Sequence, residues 1–329
     1  MPAHHQTHTR RIPLQILGTG LYEPPEVQTA EALAPLLGCT PDWIRDHTGV
    51  GERRISRLPM QQMAAHAVRE ALGADGPPDM LINASITPVQ LIPDSSVFIL
   101  RELGLSGIPA MSLHASCLSF LNAIPVVAGL LHTGVQRRIV VVSAEKGSTA
   151  RNFAEPESAA LLGDGAAAVV FGSESGGGAL LGWAMGTWPE GAEMAQIRGF
   201  GDANHPLAAR TVDTDHLFSM QGPRMFKLAM RRVPKLVFRL LDDLDLTPDD
   251  IDVVVPHQAS GPGLRLLPRM GFPDEKIVRT VDVWGNCIAA SIPMALAAAH
   301  RQGRLSSGRK VLLVGTGAGL SVGAVVLEC

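Results

Sequence analysis

Charged and aromatic residues are scarce in this chain, and no two cysteines form a Cys-x-x-Cys pair. Of the 329 residues, 18% are charged and 4% aromatic, and the formal net charge of −3 provides no basic field for nucleic acid or an anionic membrane. The four cysteines indicate neither a disulfide framework nor a zinc motif, and the histidines are too scattered for metal catalysis. No apolar run approaches the roughly 20 residues that cross a bilayer. We therefore expect a cytoplasmic protein without a metal, nucleic acid or membrane partner.

Dinucleotide and serine-hydrolase sites lack their sequence signatures as well. The glycines at Gly18-x-Gly20 and Gly315-x-Gly317-x-Gly319 do not complete Gly-x-Gly-x-x-Gly before a helix. The chain also has no Gly-x-Ser-x-Gly elbow. We expect no cofactor.

Apolar residues make up 46% of the chain, and apolar strand patterns alternate with helical ones, which predicts an α/β protein. Pro125 falls inside one helical pattern and should kink that helix or mark its real start. The predicted helices span residues 61–72, 97–103, 118–131, 225–241 and 288–302. The predicted strands span residues 12–18, 80–85, 110–113, 138–143, 166–171, 251–255, 276–280, 310–314 and 322–327.

The two sides of a glycine run at residues 176–178 resemble each other. Each has an acidic turn followed by a strand, at residues 78–85 and 250–257. About thirty residues later each has a strand-to-helix corner, then a helix and a buried strand. A period near 150 residues is typical of a duplicated domain. We predict a disordered tail over residues 1–11 and two α/β halves over 12–175 and 176–329.

Residues 186–217 break this pattern, being rich in Gly, Pro, Asp and His. A connection this long is more often a lid or a binding element than a disordered insert.

Cys117 lies where a strand pattern ends and a helix pattern begins. Free backbone N–H groups and a helix N-terminus would stabilise a thiolate there, which favours a nucleophile. A buried structural cysteine fits the residue alone equally well.

Two further polar residues occupy corresponding corners of the second half. His257 follows one strand and Asn286 opens a corner before a helix. Because catalytic groups gather at the carboxyl ends of strands, packing of the halves would bring both residues towards Cys117. The three side chains suit acyl transfer on thioesters: the thiolate takes the acyl group, and the neutral imidazole and the amide donate hydrogen bonds to an enolate oxygen without quenching the carbanion.

Ordered motifs from residue 12 to residue 327 then give a specific resemblance. The chain resembles the β-ketoacyl synthase III enzymes of the thiolase superfamily. The matching motifs are Gly18-Thr19-Gly20, Asp42-Trp43-Ile44, Thr48-Gly49-Val50-Gly51-Glu52-Arg53-Arg54-Ile55, Ser116-Cys117, Leu162-Gly163-Asp164-Gly165-Ala166-Ala167, Met225-Phe226-Lys227, Val255-Pro256-His257-Gln258-Ala259, Gly285-Asn286 and Gly315-Thr316-Gly317-Ala318-Gly319.

The resemblance implies a thiolase-like fold, with two fused pseudo-symmetric α/β repeats layered α-β-α-β-α. It implies that Cys117 accepts an acyl group from acyl-CoA, and that His257 and Asn286 promote decarboxylation of a malonyl thioester. The backbone N–H groups of Cys117 and Ala318 would form the oxyanion hole. Ala318 replaces a family glycine but keeps the donor. A homodimer paired through a sheet edge near the Cys117 strand is also implied.

For the coenzyme A site, the resemblance points to Trp43, which would stack on adenine, and to Arg151, which would contact a phosphate. A core Trp and an ordinary exposed Arg are the plain alternatives. Three departures from the family pattern indicate an altered carrier or donor and a specialised pathway. His47 stands where the family often has an Arg near the coenzyme A phosphate, and Ser260 stands where the family usually has an Asn near the pantetheine. Gly261-Pro262 replaces a stretch with a carrier-docking Arg.

Several nearby polar residues are predicted to be structural. Cys287 should pack inward, Asp164 should fix a turn, and Glu145 and Lys146 should form a local charged turn.

Two other functions stay open at this stage. One is a non-decarboxylating acyltransferase of the same fold, which Asn286 disfavours. The other is a non-catalytic partner in a heterodimer, which the presence of Cys117, His257 and Asn286 disfavours. The sequence does not identify the acyl chain, nor whether the malonyl donor is on coenzyme A or on a carrier protein.

Overall fold

A computed structural model describes residues 7–173, 177–199, 201, 204, 207 and 211–329. The helices are α1 (Ala30–Leu37), α2 (Pro41–Thr48), α3 (Met60–Leu72), α4 (Ser95–Leu103), α5 (Ser119–His132), α6 (Pro156–Ala159), α7 (Gly222–Asp243), α8 (Gly261–Leu264), α9 (Leu266–Arg269), α10 (Val281–Trp284) and α11 (Ser291–Arg301). The strands are β1 (Thr7–His8), β2 (Ile12–Pro13), β3 (Gln15–Tyr22), β4 (Glu26–Thr29), β5 (Glu52–Ile55), β6 (Met80–Asn83), β7 (Ala110–Ser112), β8 (Arg138–Lys146), β9 (Asp164–Gly172), β10 (Ala179–Gly191), β11 (Ala195–Gln196), β12 (Ser219–Met220), β13 (Val253–Pro256), β14 (Lys310–Gly317) and β15 (Gly319–Glu328).

Two large sheets repeat one arrangement of strands. The first has the order β3-β9-β8-β6-β7, and the second has β10-β15-β14-β13 with β1 and β2 added on β10. In both sheets the first two pairings are antiparallel and the third is parallel. The predicted duplication is therefore confirmed in the strand order. The boundary at 175/176 stays a prediction, because residues 174–176 lie outside the described residues.

Strands β8 and β14 are buried on both faces, which is why the sequence reads as near-continuous apolar runs there. In β8, Ile139 and Val141 point into a central core, whereas Val140 and Val142 point to an outer one. Residues of β14 alternate in the same way between the central core and a second outer core.

Helices cover every face that these strands present. α5 and α11 supply the central core between the two sheets. α3 packs on the outer face of the first sheet, and α7 packs on the outer face of the second. The layers therefore follow the order α-β-α-β-α, which confirms the predicted architecture. None of the helices in the described part of the chain is long and apolar enough to cross a membrane.

The predicted strand at residues 276–280 is wrong. It would be the counterpart of β7, but only a single bridge joins Val254 and Ile277. The side chain of Gln258 explains the difference, because its Oε1 accepts hydrogen bonds from the N–H groups of Thr280 (2.9 Å) and Val281 (3.1 Å). These two N–H groups are therefore not free to pair with a neighbouring strand, and the chain continues into α10.

Residues 7–11 correct the predicted disordered tail. Thr7 and His8 pair with β10 opposite Ala184 and Trp183, and the His8 ring stacks on Trp183 at 4.7 Å between centroids. Residues 1–6 of that prediction lie outside the described residues.

The predicted 186–217 loop begins too early, since β10 continues through Gly191 along β15. The described remainder includes β11, which pairs with β12. Parts of the segment, at 200, 202–203, 205–206 and 208–210, lie outside the described residues. Pro125 lies within α5, which begins at Ser119, so it does not mark the start of that helix.

Candidate active site

A cavity of about 490 Å³ opens between the α7–α8 side and the ends of the central strands. Cys117, His257 and Asn286 all line it, as does Ala318. The structure thus brings together the three side chains and the loop residue on which the sequence analysis converged. Much of the remaining lining is apolar, from Leu161, Met220, Met225, Phe226, Met230 and Val233.

Cys117 sits on a tight corner between β7 and α5. Ser116 just before it has φ of +53°, a left-handed conformation that non-glycine residues rarely adopt. The Ser119 hydroxyl fixes the corner by accepting from the Ala115 N–H (2.9 Å) and donating to the Ser116 carbonyl (2.7 Å). The corner therefore projects Cys117 into the cavity and leaves its backbone N–H beside the sulfur.

Two opposed effects act on the pKa of the Cys117 thiol. Burial raises this pKa to about 12, and the nearby charge of Glu145 adds to the rise. Hydrogen bonds from the backbone N–H groups of Ala318 and Cys117 lower it, in the predicted direction but by less. The resting sulfur is thus a protonated thiol held next to two backbone donors.

His257 follows β13, where its N–H donates to the Val314 carbonyl at 2.8 Å. The residue is 5% exposed, and burial lowers the pKa of its imidazole to about 4. The imidazole is therefore neutral at physiological pH, as the proposed enolate chemistry requires. Gly315 leaves room for it, because a Cβ at that position would lie 2.8 Å from the His257 Cβ. Among the described residues, Nδ1 of His257 has no hydrogen-bond partner.

Asn286 is fixed by contacts to both ends of its amide. Its Oδ1 accepts from the Ile288 N–H (2.9 Å), and its Nδ2 donates to the Ala259 carbonyl (3.3 Å). This orientation leaves the second N–H of Nδ2 for a cavity ligand. Gly285 permits the corner, since a Cβ there would meet the Leu161 carbonyl at 2.6 Å.

Ala318 connects β14 to β15 at the point where the strands turn back on each other. Gly317 pairs with Ser321 on the returning strand, and the position of its missing Cβ lies 3.6 Å from the Cys117 backbone nitrogen. The N–H groups of Ala318 and Cys117 thus converge at one sulfur, a geometry suited to an oxyanion.

Of the residues predicted to bind coenzyme A, Ser260 lines the cavity, whereas Trp43 and Arg151 do not. Ser260 lines the cavity and caps α8, where its Oγ accepts from the Gly263 N–H at 3.1 Å. Trp43 is half-buried in α2 and stacks on His47, which lines the cavity. Arg151 does not line the cavity: it is 5% exposed and donates to Gln28 at 2.6 Å.

Two glycines at the cavity mouth were not recognised as a pair in the sequence. A Cβ on Gly49 would lie 2.5 Å from the Gly261 Cα, so the end of α2 rests directly on the start of α8. Gly261, which departs from the family pattern, is therefore needed for this contact. A glycine after α2 can be predicted locally, because Gly49 ends that helix with a positive φ. Its contact with Gly261, 212 positions later, has no local signal in the sequence.

Glu145 was predicted to lie in a local charged turn, which is wrong. It is fully buried in β8 and accepts three hydrogen bonds from Ile86 and Thr87. The inward packing predicted for Cys287 is confirmed, whereas Asp164, predicted to fix a turn, lies at the start of β9 and joins two distant segments. Cys287 is buried and donates to the Trp284 carbonyl, and Asp164 accepts from Ser56 and Ser148. No metal-binding group of three His, Cys, Asp or Glu occurs within the described ranges.

Two equivalent sheets around paired central helices, with a thiol at the corner between them, define a thiolase-like condensing enzyme. Comparison with known proteins identifies the family within this class. The 3-oxoacyl-[acyl-carrier-protein] synthase III description matches residues 111–189, and its C-terminal counterpart matches residues 241–329. The chain belongs to the 3-oxoacyl-[acyl-carrier-protein] synthase III family and is an acyltransferase.

Individual relatives match over nearly the full length. The β-ketoacyl-[acyl-carrier-protein] synthase III of Oceanobacillus iheyensis is 32% identical over 323 residues, which covers 95% of this chain and 98% of that one. The crystal structure of 3-oxoacyl-[acyl-carrier-protein] synthase III from Aquifex aeolicus superposes with a TM-score of 0.87 at 29% identity, covering 96% and 100%. The crystal structure of the priming β-ketosynthase from the R1128 polyketide biosynthetic pathway superposes with a TM-score of 0.87 at 28% identity. The superposition covers 98% of this chain and 97% of that one.

Proposed function

We propose that this protein transfers an acyl group from acyl-CoA to Cys117 and then condenses it with a malonyl thioester to give a β-ketoacyl product. The observation that carries the proposal is the convergence of two backbone N–H groups on the Cys117 sulfur, in a cavity that His257 and Asn286 also line.

In the first step the Cys117 sulfur attacks the thioester carbonyl. The carbonyl oxygen takes up negative charge within reach of the N–H groups of Cys117 and Ala318. The bond to the coenzyme A sulfur breaks, and the proton of the Cys117 thiol goes to the departing thiolate. Because the resting thiol is protonated, the step needs no permanent anion in the site.

In the second step the malonyl thioester loses its carboxylate as carbon dioxide. The electron pair of the broken C–C bond becomes an enolate, whose oxygen accepts hydrogen bonds from neutral His257 and from Nδ2 of Asn286. The enolate carbon attacks the acyl carbon, and the bond to Cys117 breaks, which returns the sulfur as a thiolate for reprotonation. Burial of His257 supports this role, since an imidazolium would protonate the carbanion.

For the carrier arm, we assign Ser260 and the Trp43–His47 stack to the cavity mouth. Arg151 receives no substrate role, because it is buried away from the cavity. Lys227 and Arg231 are exposed on α7, each directly after a residue that lines the cavity, Phe226 and Met230. They suit a phosphate-bearing pantetheine arm, whether on coenzyme A or on a carrier protein. A specialised fatty-acid or polyketide-type pathway accounts for the three departures at residues 47 and 260–262.

A cytoplasmic homodimer completes the proposal. Leu91 and Ile92 are 85% and 80% exposed in the single chain, and β7 is an unpaired sheet edge in the described structure. Exposed apolar side chains and an open edge both favour pairing with a second copy.

Intact-mass spectrometry after incubation with a panel of acyl-CoAs tests the nucleophile. We expect one acyl adduct on the wild-type protein, and its mass identifies the chain. Cys117→Ala should abolish the adduct, whereas Cys39→Ala should retain it. A wild-type protein that acquires no adduct from any acyl-CoA would favour the non-catalytic heterodimer partner.

Carbon dioxide release from the acylated enzyme tests the second step. Release with malonyl-CoA or a malonyl carrier protein is expected, and the faster donor identifies the carrier. No release with either donor would favour the non-decarboxylating acyltransferase. Condensation of acetyl-CoA with malonyl carrier protein at the rate of a fatty-acid initiator would refute the specialised pathway.

A further inference from the structure

The cavity that Cys117 lines extends into the second outer core. On α7 its lining runs from Gly222 to Val233, which is three turns, or about 16 Å along the helix axis. Four apolar side chains belong both to the lining and to that core: Leu161, Val233, Leu264 and Leu267. The cavity therefore has an apolar end, formed between α7 on one side and α8 and α9 on the other.

The chemistry of this apolar end decides which part of an acyl thioester it can hold. Among the described residues, α7, α8 and α9 contribute only glycine, proline and apolar side chains to the lining. The pantetheine arm of a donor carries two amide groups, and burying an amide without a hydrogen-bond partner is costly. Polar side chains of the lining, such as His47 and Ser260, belong to other segments. The apolar end therefore suits an alkyl chain, and the polar mouth suits the arm.

Gly263 keeps the α8 wall of this end open. It lines the cavity, and its N–H donates to the Ser260 Oγ. Within the described structure, that oxygen, at 3.2 Å, is the one atom outside its own helix and chain neighbours that a Cβ on Gly263 would meet. A larger side chain at this position would therefore project into the cavity. On the α7 wall, Ala229 is the smallest side chain of the lining.

We propose that the protein takes acyl groups of medium length, such as hexanoyl and octanoyl, and that Gly263 determines this specificity. The acyl carbonyl lies at Cys117, and the alkyl chain runs between α7 and the α8–α9 wall. This assignment rests on the proposed acyl transfer to Cys117 and names its substrate class. Each methylene that leaves water on binding should raise kcat/KM for acylation about fourfold.

Competition between acyl-CoAs tests the assignment. The protein is incubated with an equimolar mixture of acetyl-, butyryl-, hexanoyl- and octanoyl-CoA, and intact-mass spectrometry measures the share of each adduct at early times. These shares follow the ratio of the kcat/KM values. Because four methylenes distinguish hexanoyl from acetyl, we expect hexanoyl to acylate wild type about 100-fold faster.

Two variants narrow the apolar end from opposite walls. Gly263→Val should lower the hexanoyl-to-acetyl ratio about tenfold or more, because its side chain takes the space of the alkyl chain. Ala229→Leu should do the same from α7, and it serves if the first variant folds poorly, since leucine favours a helix interior. Gly129→Val is the matched control. Gly129 is exposed in α5 with no described atom within 4 Å of its missing Cβ, so the ratio should stay that of wild type.

Three results would overturn the proposal. A wild type that prefers acetyl-CoA, or acylates equally with every chain, does so directly. Equal slowing of all four donors in Gly263→Val does so as well, because the apolar end would then hold the pantetheine arm that the donors share. The absence of any adduct on wild type is a separate result, which refutes the proposed function itself and this assignment with it.

Discussion

At the scale of single residues, burial decides the protonation of the site more than local hydrogen bonds do. Cys117 has two backbone donors at its sulfur and still has a raised pKa, while His257 is held neutral by burial alone. Both groups are thus uncharged before substrate binds. Charge appears only on the substrate, where the backbone donors and the amide of Asn286 can meet it.

The neutral state of His257 predicts a specific loss of stability in acid. Its pKa is about 4 in the folded protein and about 6.5 in the unfolded chain. Between these values the unfolded chain binds a proton that the folded protein does not, so stability falls as the pH falls from 6.5 to 4. Above pH 6.5 this group contributes no pH dependence.

His257→Gln should remove this loss. Relative to wild type, the variant should gain up to about 3 kcal/mol between pH 7 and pH 4, measured by urea unfolding. Burial raises the pKa of Glu145 to about 7, so protonation of this residue stabilises the folded protein as the pH falls through 7. This contribution is the same in wild type and variant and therefore cancels in the difference between their free energies of unfolding. His66→Gln, at an exposed histidine, is the matched control. Parallel pH curves for wild type and His257→Gln would contradict this account.

At the scale of elements, the contact between α2 and α8 sets the shape of the cavity mouth. Gly49 and Gly261 touch backbone to backbone, which places His47 and Ser260 on the same rim. A side chain on either glycine would separate the two helices.

Gly49→Ala should therefore lower stability and weaken substrate binding together. The left-handed φ of +75° costs about 1–2 kcal/mol for a non-glycine residue, and the contact with Gly261 adds to it. Gly38→Ala is the control, since Gly38 has φ of +64° but nothing within 4 Å of its missing Cβ. Thermal unfolding should show the larger loss for Gly49→Ala, and only this variant should raise KM. Equal losses would mean that the contact between the helices is not tight.

The sequence predicted the elements whose signals are local. β8 and β14 were found because both of their faces are apolar, and the corners at Cys117 and Asn286 because strand patterns end there. The strand predicted at residues 276–280, the counterpart of β7, does not form, and the sequence pattern could not show this. The N–H groups of Thr280 and Val281 donate to the side chain of Gln258, more than 20 residues earlier. Glu145 was misread for the same reason: its partners lie 58–59 residues away, and a charged pair after a strand is typical of a surface turn.

At the scale of the whole molecule, the open edge of β7 predicts the oligomer. In a parallel pair of strands, only every second residue forms backbone hydrogen bonds to the neighbouring strand. The Leu81 N–H donates to the Pro109 carbonyl, and the Leu113 N–H donates to the Asn83 carbonyl. The N–H of Ala110 therefore faces outward, away from β6. Sedimentation of the wild-type protein should give twice the 34.8 kDa chain mass.

Ala110→Pro removes the outward donor and should shift the protein towards monomer, whereas Ala110→Gly keeps it and should remain a dimer. A monomeric wild type, or a dimer that tolerates the proline fully, would place the interface elsewhere.

The pairing of β1 and β2 with β10 has a consequence for how the protein is made. These first strands have their partner at residues 179–191, so they wait, unpaired, while more than half of the chain is synthesised. The other neighbour of β10 is β15, which follows it by more than 120 residues. Strands from residues 7–13 and 319–328 are thus joined through one strand between them, and the second sheet can close only after residue 328 has been made.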